Sequence, residues 1–407
     1  MADRDAAIKQ ALEELRNKEN RRSTMAEDSS SIKGAIVTIK VFGVGGGGNS
    51  ALERMAEGDF PDIDLVAVNT DANALQHANV GSIKTMQIGD SLTKGRGTGG
   101  NVMVGEEAAK NDADRLKSMM LGADMIFITA GMGGGVGTGA APIIAKLAKE
   151  QGMLTVGVVT IPFSFEGARK KRIADQGIIK MQSYMDALIT VKNDNLLKLQ
   201  DNRKLSVVDA FHAADSVLQQ SIKCMAEMIL STGVINVDFA DVTTIFRQSE
   251  SSDAILGIGV SEVSALKAVQ QALQTPLIDR SLKGARGVIL NITGDESLPM
   301  YDVDEAAKYI FSQTAEDVNI ILGTVIDPKM KGKVQATIIA TDFANSLSLK
   351  VPTIEVPKSQ AAVSSGFNLD APKFQPPPKP KEEKNGPGGF PIPSFSMFKL
   401  PDDKGKK

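Results

Sequence analysis

The sequence predicts an α/β protein in which a parallel sheet covered by helices is joined, through one long helix, to a smaller α/β region. Short β-branched runs alternate with helical stretches from Ile36 onward, which favours a parallel sheet with helices on both faces. An apolar stripe at helical spacing then runs from about Ser206 to Leu230, and a second alternation follows it. A chain of 407 residues is long enough for two such cores.

Individual elements are predicted where the apolar pattern changes period. The strands of the first part are Ile36–Phe42, Asp64–Val68, Met125–Ala130, Leu154–Ile161 and Ala187–Val191, with helices in Val104–Leu121 and Gly137–Gln151. The second part has strands near Gly287–Ile292, Val318–Val325 and Lys333–Thr341, with helices near Glu262–Leu273 and Asp304–Gln313.

The two ends of the chain differ in composition from the middle. Residues 1–31 carry a short run at helical spacing followed by a polar, serine-rich link, which indicates either a solvated arm or a regulatory or self-association helix. Beyond about Pro352 the chain is rich in Pro, Lys, Ser and Gly and is predicted to be a disordered linker. The apolar cluster Phe390–Phe395, followed by Phe398, is a candidate docking peptide within that tail.

Composition excludes several classes of function. A net charge of -3 gives no basic footprint for nucleic acid. Two histidines and one cysteine leave almost no ligands for a zinc or iron–sulfur site, and one cysteine forms no intrachain disulfide. The sequence has no apolar run long enough for a transmembrane helix, and its charged first 30 residues do not resemble a secretory signal. We therefore expect a cytoplasmic protein that does not insert into membranes.

Two glycine-rich loops carry the first functional signal. One follows the first predicted strand, at Gly43–Ser50, and a glycine-rich strand–helix turn of this kind is shared by ligand-free turns and dinucleotide-binding folds. The other follows Met125–Ala130 and has six glycines in the nine residues Gly131–Gly139. So many glycines before a helix form a nest of backbone amides suited to a di- or triphosphate. No P-loop lysine follows, so the site differs from Walker-type hydrolases.

At this second loop the sequence resembles the tubulin/FtsZ family of GTPases, and closely resembles its bacterial cell-division members. The loop is similar to the family signature GGGTGTG, with Val136 in place of the first threonine. The resemblance runs from about Ile36 to Ala344 and includes further ordered matches: Asn69–Asp71, Thr93–Gly95, Phe165–Gly167, Asn193–Asp194, Asn236–Asp241 and Gly284–Gly287. It implies a Rossmann-like GTPase domain, a long central helix and a smaller C-terminal domain.

The resemblance also implies a role for each matched position. The phosphates would be wrapped by Gly46, Gly47, Gly48, Asn49, Ser50, Gly133, Gly134, Gly135, Val136, Gly137, Thr138 and Gly139, with Gly97, Gly99 and Gly100 near the γ-phosphate. Glu166 would contact the ribose, Lys170 would serve the ribose or phosphate side, Asn193 and Asp215 would read the guanine, and Phe211 would stack on it. Position alone favours core packing for Phe211, and the resemblance reverses that interpretation. Mg²⁺ is expected to bind mainly through the nucleotide phosphates, with no protein metal site.

The segment Asn236–Asp241 has two interpretations. Two carboxylates three residues apart, Asp238 and Asp241, are typical of the N-terminus of a helix. The resemblance instead implies that Asn236, Asp238 and Asp241 enter the pocket of the next subunit, where the carboxylates polarise the attacking water. A site divided in this way implies head-to-tail filaments.

Departures from the family pattern affect the expected turnover. Val136 lacks the hydroxyl of the family threonine, Ser50 replaces an asparagine, and Lys170 replaces an arginine and so lacks the planar fork. Nucleotide binding should survive these changes, whereas hydrolysis could be slow.

The resulting organisation has six parts: a 1–31 arm, a 32–204 GTP-binding domain, a 205–232 central helix, a 233–351 GTPase-activating domain, a 352–388 linker and a 389–407 docking peptide and tail. The resemblance implies a GTPase that forms the cytokinetic ring scaffold at mid-cell. Its expected partners are copies of itself and membrane-tethering or regulatory division proteins, bound through residues 389–399. The alternatives are a polymerising GTP-binding protein with weak hydrolysis and a dinucleotide-dependent oxidoreductase. The oxidoreductase is disfavoured because the second glycine loop and the paired carboxylates have no role in hydride transfer.

Overall fold

One sheet of ten strands runs through the part of the chain that the structure describes. The computed structural model describes residues 37–57, 63–197, 206–231, 233–249, 251–275 and 280–343. The predicted arm, linker and docking peptide lie outside these residues. The strands are β1 Ile39–Val44, β2 Asp64–Asn69, β3 Lys84–Gln87, β4 Met125–Gly131, β5 Leu154–Ile161, β6 Ala187–Lys192, β7 Asp253–Ser261, β8 Ala285–Gly294, β9 Asn319–Ile326 and β10 Val334–Phe343.

Helices connect these strands. They are α1 Gly45–Glu57, α2 Ala72–Ala78, α3 Asp90–Thr93, α4 Val102–Asn111, α5 Ala113–Met120, α6 Gly135–Glu150, α7 Ala168–Gln182, α8 Asn193–Leu196, α9 Val207–Leu230, α10 Phe239–Gln248, α11 Ala265–Gln274 and α12 Met300–Gln313. Short 3₁₀ turns span Ser164–Glu166 and Pro328–Met330.

The strand order places a topological switch in the first half of the sheet. The order is β3-β2-β1-β4-β5-β6-β7-β10-β8-β9, and every pair from β3 to β6 is parallel. The chain therefore moves outward in one direction from β1 and in the other from β4. In such sheets a ligand binds at the carboxyl ends of the strands beside the switch.

The core has three layers in this half of the molecule. Apolar residues of α1, α2 and α9 pack on one face of the sheet with Val41 and Phe127. Residues of α4, α5, α6 and α7 pack on the other face with Phe42 and Ile128. Because successive strand residues point to opposite faces, a continuous apolar run such as β4 serves both layers.

The smaller part continues the same sheet with mixed strand directions. β10 lies between β7 and β8 and is antiparallel to both, whereas β8 and β9 are parallel. Helices α11 and α12 cover one face. The central helix α9 and helix α10 pack toward the other. β6 and β7 join the two halves through a short parallel register of two residue pairs, Leu188–Asp253 and Ile189–Ala254.

The structure confirms the predicted fold class, but some helices and strands differ from the prediction. The pattern over Val104–Leu121 forms two helices, α4 and α5, which meet at Asp112. The Asp112 carboxylate accepts a hydrogen bond from Gly89 N at 2.7 Å and pairs with Arg115. Strands β3 and β7 were not expected from the sequence. In the part of the chain that the structure describes, no helix is both long and apolar enough to cross a membrane.

Candidate nucleotide-binding site

Two glycine-rich helix N-termini meet at the carboxyl edge of the sheet. α1 starts directly after β1, and α6 starts just after the neighbouring strand β4. A Cβ on Gly45, which has a φ of 72°, would lie 2.9 Å from Gly137 N, and one on Gly47 would lie 3.2 Å from Gly131 Cα. The two backbones thus touch where any side chain would separate them.

These N-termini are arranged to receive an anion. Neither helix has an acidic residue in its first turn, and the N-cap of α6, Gly134, provides no side-chain hydrogen bond. The first amides of a helix have no partner within the helix and lie at the positive end of its dipole. The Thr138 hydroxyl accepts a hydrogen bond from Gly133 N at 2.8 Å and so fixes the second loop. Phosphate is the ligand expected at such a place.

A cavity of about 340 Å³ opens between these loops and the start of α9. It is within the size range of small-molecule sites. Nine of the predicted residues line it: Gly47, Ser50, Gly133, Gly134, Glu166, Lys170, Asn193, Phe211 and Asp215. Gly131, Met132, Thr160, Pro162 and Ala214 complete the lining.

Several predicted phosphate-binding residues instead support the loops from behind. A Cβ on Gly48 would meet Thr129 O, and one on Gly139 would meet Val102 O of α4. Asn49 is buried, and its amide can donate to the carbonyls of Gly43 and Gly45 at 2.9 and 3.0 Å. Close packing alone accounts for the small residues at 48 and 139. Gly135 and Gly137 also meet neighbouring backbone, whereas Gly46 has open space around it.

Val136 lies in the first turn of α6 with 7% of its surface exposed. It belongs to the apolar cluster between the sheet and helices α4 to α7 and is not among the residues that line the cavity. The missing hydroxyl therefore leaves the backbone amides of the loop in place.

The third glycine-rich loop lies beside the second. Gly97, Gly99 and Gly100 are exposed and do not line the cavity. A Cβ on Gly135 would meet the Thr98 hydroxyl, so the loop borders the second loop at that point.

An aromatic cluster and two polar side chains define another part of the cavity. The Phe211 ring meets Phe163 edge to face at 5.3 Å and remains 40% exposed. Asn193 is buried, and its Oδ1 has no hydrogen-bond partner within the described residues. An orphan acceptor in a cavity is costly unless a ligand satisfies it. A planar heterocycle fits this arrangement, since it can stack on the exposed Phe211 ring and donate an N–H to Asn193 Oδ1.

Asp215 is the most perturbed acid of the cavity. Burial raises the pKa of its carboxyl group to about 6, partly offset by Arg54 and increased by Glu53. Arg54 Nε lies 3.6 Å from Asp215 Oδ2. The carboxylate can accept two hydrogen bonds, which matches the N1–H and 2-amino donors of guanine; adenine has an acceptor at N1.

Glu166 and Lys170 form an ion pair on the cavity wall. Lys170 Nζ lies 2.8 Å from Glu166 Oε2, and Glu166 Oε1 accepts a hydrogen bond from Phe163 N. Lys170 belongs to a run of four cations, Arg169 to Arg172, at the N-terminal end of α7. Cations there oppose the helix dipole, and an anion bound nearby would offset that cost.

The carboxylate segment lies at the other end of the central helix. Asp238 is the N-cap of α10: its Oδ1 accepts from Asp241 N at 2.8 Å, and Asp241 Oδ2 accepts from Asp238 N at 3.4 Å. The loop before it bonds to β9, with Val234 N 2.9 Å from Thr324 O. Val237 is buried there, whereas Asn236 and Asp238 are exposed. Fifteen residues of α9 separate Asp215 from Leu230, a rise of about 22 Å.

Comparisons with known proteins identify the family. The model described as "Tubulin/FtsZ family, GTPase domain" matches residues 38–201, and "FtsZ family, C-terminal domain" matches residues 252–344. An FtsZ dimer from M. jannaschii is 35% identical, with a TM-score of 0.72, over 78% of this chain and 92% of that chain. The chain belongs to the tubulin/FtsZ family.

More distant family structures share the fold. The GDP-bound CetZ1 monomer from Haloferax volcanii is 20% identical, with a TM-score of 0.65, over 76% of this chain and 95% of that chain. CetZ2 from the same organism, solved as a GTPgS-bound protofilament, is 23% identical, with a TM-score of 0.63, over 76% and 96%. A GTPase domain of this family implies binding of GTP and GDP and hydrolysis of GTP, and its relatives include a dimer and a protofilament.

The described residues hold no cluster of three or more His, Cys, Asp or Glu side chains that could bind a metal ion. Mg²⁺ commonly takes most of its ligands from substrate phosphates and water. The amide-lined loops fit the phosphates, which would provide the ligands of such an ion.

The structure adds residues to the site that the sequence did not predict. Thr160 and Pro162 line the cavity at the end of β5, and the rule that ligands bind at the carboxyl ends of parallel strands could have found them. Arg54 contacts Asp215 but lies one helical turn beyond Ser50, and no local pattern marks it.

Proposed function

We propose that this protein polymerises head to tail in a GTP-dependent manner, hydrolyses GTP at the subunit interface and forms the scaffold of the cytokinetic ring. One observation carries the proposal: the cavity and the carboxylates Asp238 and Asp241 lie at opposite ends of one helix. The rise of about 22 Å along α9 between Asp215 and Leu230 supports a site in which the carboxylates come from another subunit.

Nucleotide binding would use the two helix N-termini for the phosphates. The amides of α1 and α6 would donate to the phosphate oxygens and stabilise the charge that develops during transfer. Phe211 would stack on the base, and Asn193 and Asp215 would receive its donors. Glu166 would take the ribose and Lys170 the phosphates, which requires the ion pair of 2.8 Å between them to open or tilt.

Hydrolysis would be completed by a second copy. The exposed Asp238 and the half-buried Asp241 would orient the attacking water and accept its proton, while Asn236 would help to position it. Because the cavity surface and the carboxylate surface differ, their contact is heterologous, the type of contact from which open filaments are built. Mg²⁺, held by the phosphates, would neutralise charge on the transferred group.

The cellular role is part of the same proposal. A cytoplasmic filament at mid-cell would scaffold the division ring, and residues 389–399 would dock membrane-tethering and regulatory division proteins. A polymerising protein with weak hydrolysis is the alternative, favoured by the engagement of Lys170 with Glu166.

Mixing two inactive variants tests the divided site. Asp241→Asn keeps the nucleotide cavity, whereas Asp215→Asn is expected to lose GTP but keep the carboxylates. Each variant alone should release little phosphate in GTP and Mg²⁺. The mixture should regain activity, since the first variant supplies bound GTP and the second supplies Asp241. Activity in the mixture no greater than the sum of the two alone would contradict an interface-completed site.

Light scattering recorded with phosphate release in the unmodified protein separates the two candidates. Scattering with phosphate release supports the GTPase, and scattering without it supports the weak hydrolase. If neither scattering nor phosphate release is seen over a range of salt and pH, both candidate functions are contradicted.

A further inference from the structure

Arg54 links the phosphate end of the cavity to its base end. It lies on α1, one turn after Ser50, which lines the cavity. Its guanidinium Nε is 3.6 Å from Asp215 Oδ2, and its carbonyl accepts a hydrogen bond from Gln219 Nε2 at 3.0 Å. Asp215 and Gln219 are one turn apart on α9, so α1 is attached to the central helix at two successive turns.

We propose that Arg54 is a positioning residue that determines base selectivity, by holding the Asp215 carboxylate ionised and oriented toward the N1–H and 2-amino donors of guanine. The inference rests on the proposed function, because it takes Asp215 to be the residue that reads the base. It adds a specificity role for a side chain that does not itself line the cavity.

Burial makes the pairing necessary. The side chains of Arg54 and Asp215 are only 25% and 17% exposed, and an unpaired carboxylate at such a place tends to take up a proton. A protonated carboxyl group donates one hydrogen bond and cannot accept two from guanine. Arg54 opposes the desolvation that raises the pKa of Asp215, whereas Glu53 adds to it.

Orientation is the second contribution. The guanidinium Nε lies 3.6 Å from Oδ2, and the attraction between the two charges favours the carboxylate rotamer that faces Arg54. The bond from Gln219 to the Arg54 carbonyl fixes the backbone from which the side chain extends. Since α1 also carries the first phosphate loop, one helix sets the distance between phosphate and base contacts.

The alternative to a selectivity role is a purely structural ion pair that attaches α1 to α9. Inosine triphosphate separates the two, because it keeps N1–H but lacks the 2-amino group. A well-oriented carboxylate should prefer GTP by about tenfold or more. A purely structural pair would affect both nucleotides equally.

The experiment measures Kd for GTP and inosine triphosphate from pH 6 to pH 8, where both keep N1–H, in Arg54→Gln, Arg54→Lys and the unmodified protein. Arg280→Gln is the matched control. Arg280 Nη1 lies 3.2 Å from Asp253 Oδ2, and neither residue lines the cavity. In Arg54→Gln the affinity for GTP should fall about tenfold at pH 7 and recover in part at pH 8, as Asp215 ionises. Its preference for GTP over inosine triphosphate should fall to about threefold or less.

Other titrating groups near Asp215 are controlled separately. Glu53 is adjacent on α1, Glu166 and Lys170 share the cavity, and His212 lies one turn earlier on α9. His212→Gln should leave the pH profile unchanged. A profile that disappears in His212→Gln would assign the titration elsewhere and overturn the charge role of Arg54.

Three results overturn the proposal. One is an equal loss of both nucleotides in Arg54→Gln at every pH, and another is an equal loss in the Lys and Gln variants. The third is a circular dichroism spectrum that shows Arg54→Gln to be folded while its selectivity is unchanged. Failure of the proposed function looks different: unmodified protein that does not bind GTP, or Asp215→Asn that still prefers GTP to xanthosine triphosphate.

Discussion

Asp238 has a structural role that must be separated from the proposed catalytic one. Its carboxylate caps α10 by accepting from Asp241 N at 2.8 Å. Asparagine caps helices about as well as aspartate, and alanine does not. Asp238→Asn therefore removes the charge and retains the cap, whereas Asp238→Ala removes both.

The expected loss of stability follows from this geometry. Loss of an N-cap costs about 1 kcal/mol, and the reciprocal bond at 3.4 Å is too long to add much. For a protein of this size, 1 kcal/mol lowers the Tm by about 1 to 2 °C. Asp238→Asn should lose only a few tenths of a kcal/mol, from the weakened interaction of the charge with the helix dipole.

The effect on hydrolysis should not follow stability. If Asp238 orients and deprotonates water in the next subunit, both variants should release phosphate about 100-fold or more slowly. Binding of GTP should stay within about threefold, because the cavity is at the other end of α9. Thermal unfolding, nucleotide binding and phosphate release are measured on the same preparations, above the concentration at which scattering appears.

One pattern of results would refute the reasoning. If Asp238→Asn hydrolyses GTP normally and only Asp238→Ala is slow, the carboxylate acts through its cap alone. A loss of GTP binding in Asp238→Asn would instead mean that the segment belongs to its own subunit's pocket.

Further predictions concern the cavity and the packing beneath it. Asp215 has a folded-state pKa of about 6, above its unfolded value of 3.8, so the folded state binds more protons between these values and its stability falls as the pH rises from about 4 to about 6. Asp215→Asn should remove this loss of roughly 3 kcal/mol in the free energy of unfolding, measured by urea unfolding without nucleotide. If the free energy of unfolding depends on pH equally in both proteins, the raised pKa does not belong to Asp215. Val136→Thr should change turnover by less than about threefold, because the side chain faces the core; a larger rise in phosphate release would favour the weak-hydrolase alternative. Gly139→Ala should lower the free energy of unfolding by about 1 to 3 kcal/mol, since the methyl meets Val102 O; Gly46→Ala, which has open space, is its control and should alter nucleotide binding instead. Burial raises the pKa of the Cys224 thiol to about 11, so iodoacetamide at pH 8 should label it only after unfolding, and rapid labelling of the native protein would contradict its burial.

The main elements of the fold were predictable because apolar runs and long stripes determine burial locally. Strand β3 was missed since only Met86 of its four residues is buried, and an edge strand of this kind has little apolar signal. Strand β7 contains Gly257 and Gly259, which weaken a strand pattern. A Cβ on Gly259 would collide with Ala268 O of α11, a reason that only the packed structure reveals.

The site was predictable to the extent that its residues belong to ordered motifs. Glycine signals backbone contact, but the sequence does not say whether the contact is a phosphate or another helix. Gly47 and Gly134 line the cavity, whereas Gly139 packs against α4. The contact between Arg54 and Asp215 joins residues far apart in the chain, so no local pattern could predict it.

The narrow join between β6 and β7 determines how the molecule would carry mechanical load. Within the described residues the strand register there has two residue pairs, and Gln182 adds hydrogen bonds to Ser252 and Asp253, whereas α9 packs against both halves. Tension along a filament of the proposed kind would enter near the cavity and leave near Asn236–Asp241, at the two ends of α9. The helix would bear most of the load between the two contacts, and the short strand pairing would act as a hinge about which the smaller part could rotate.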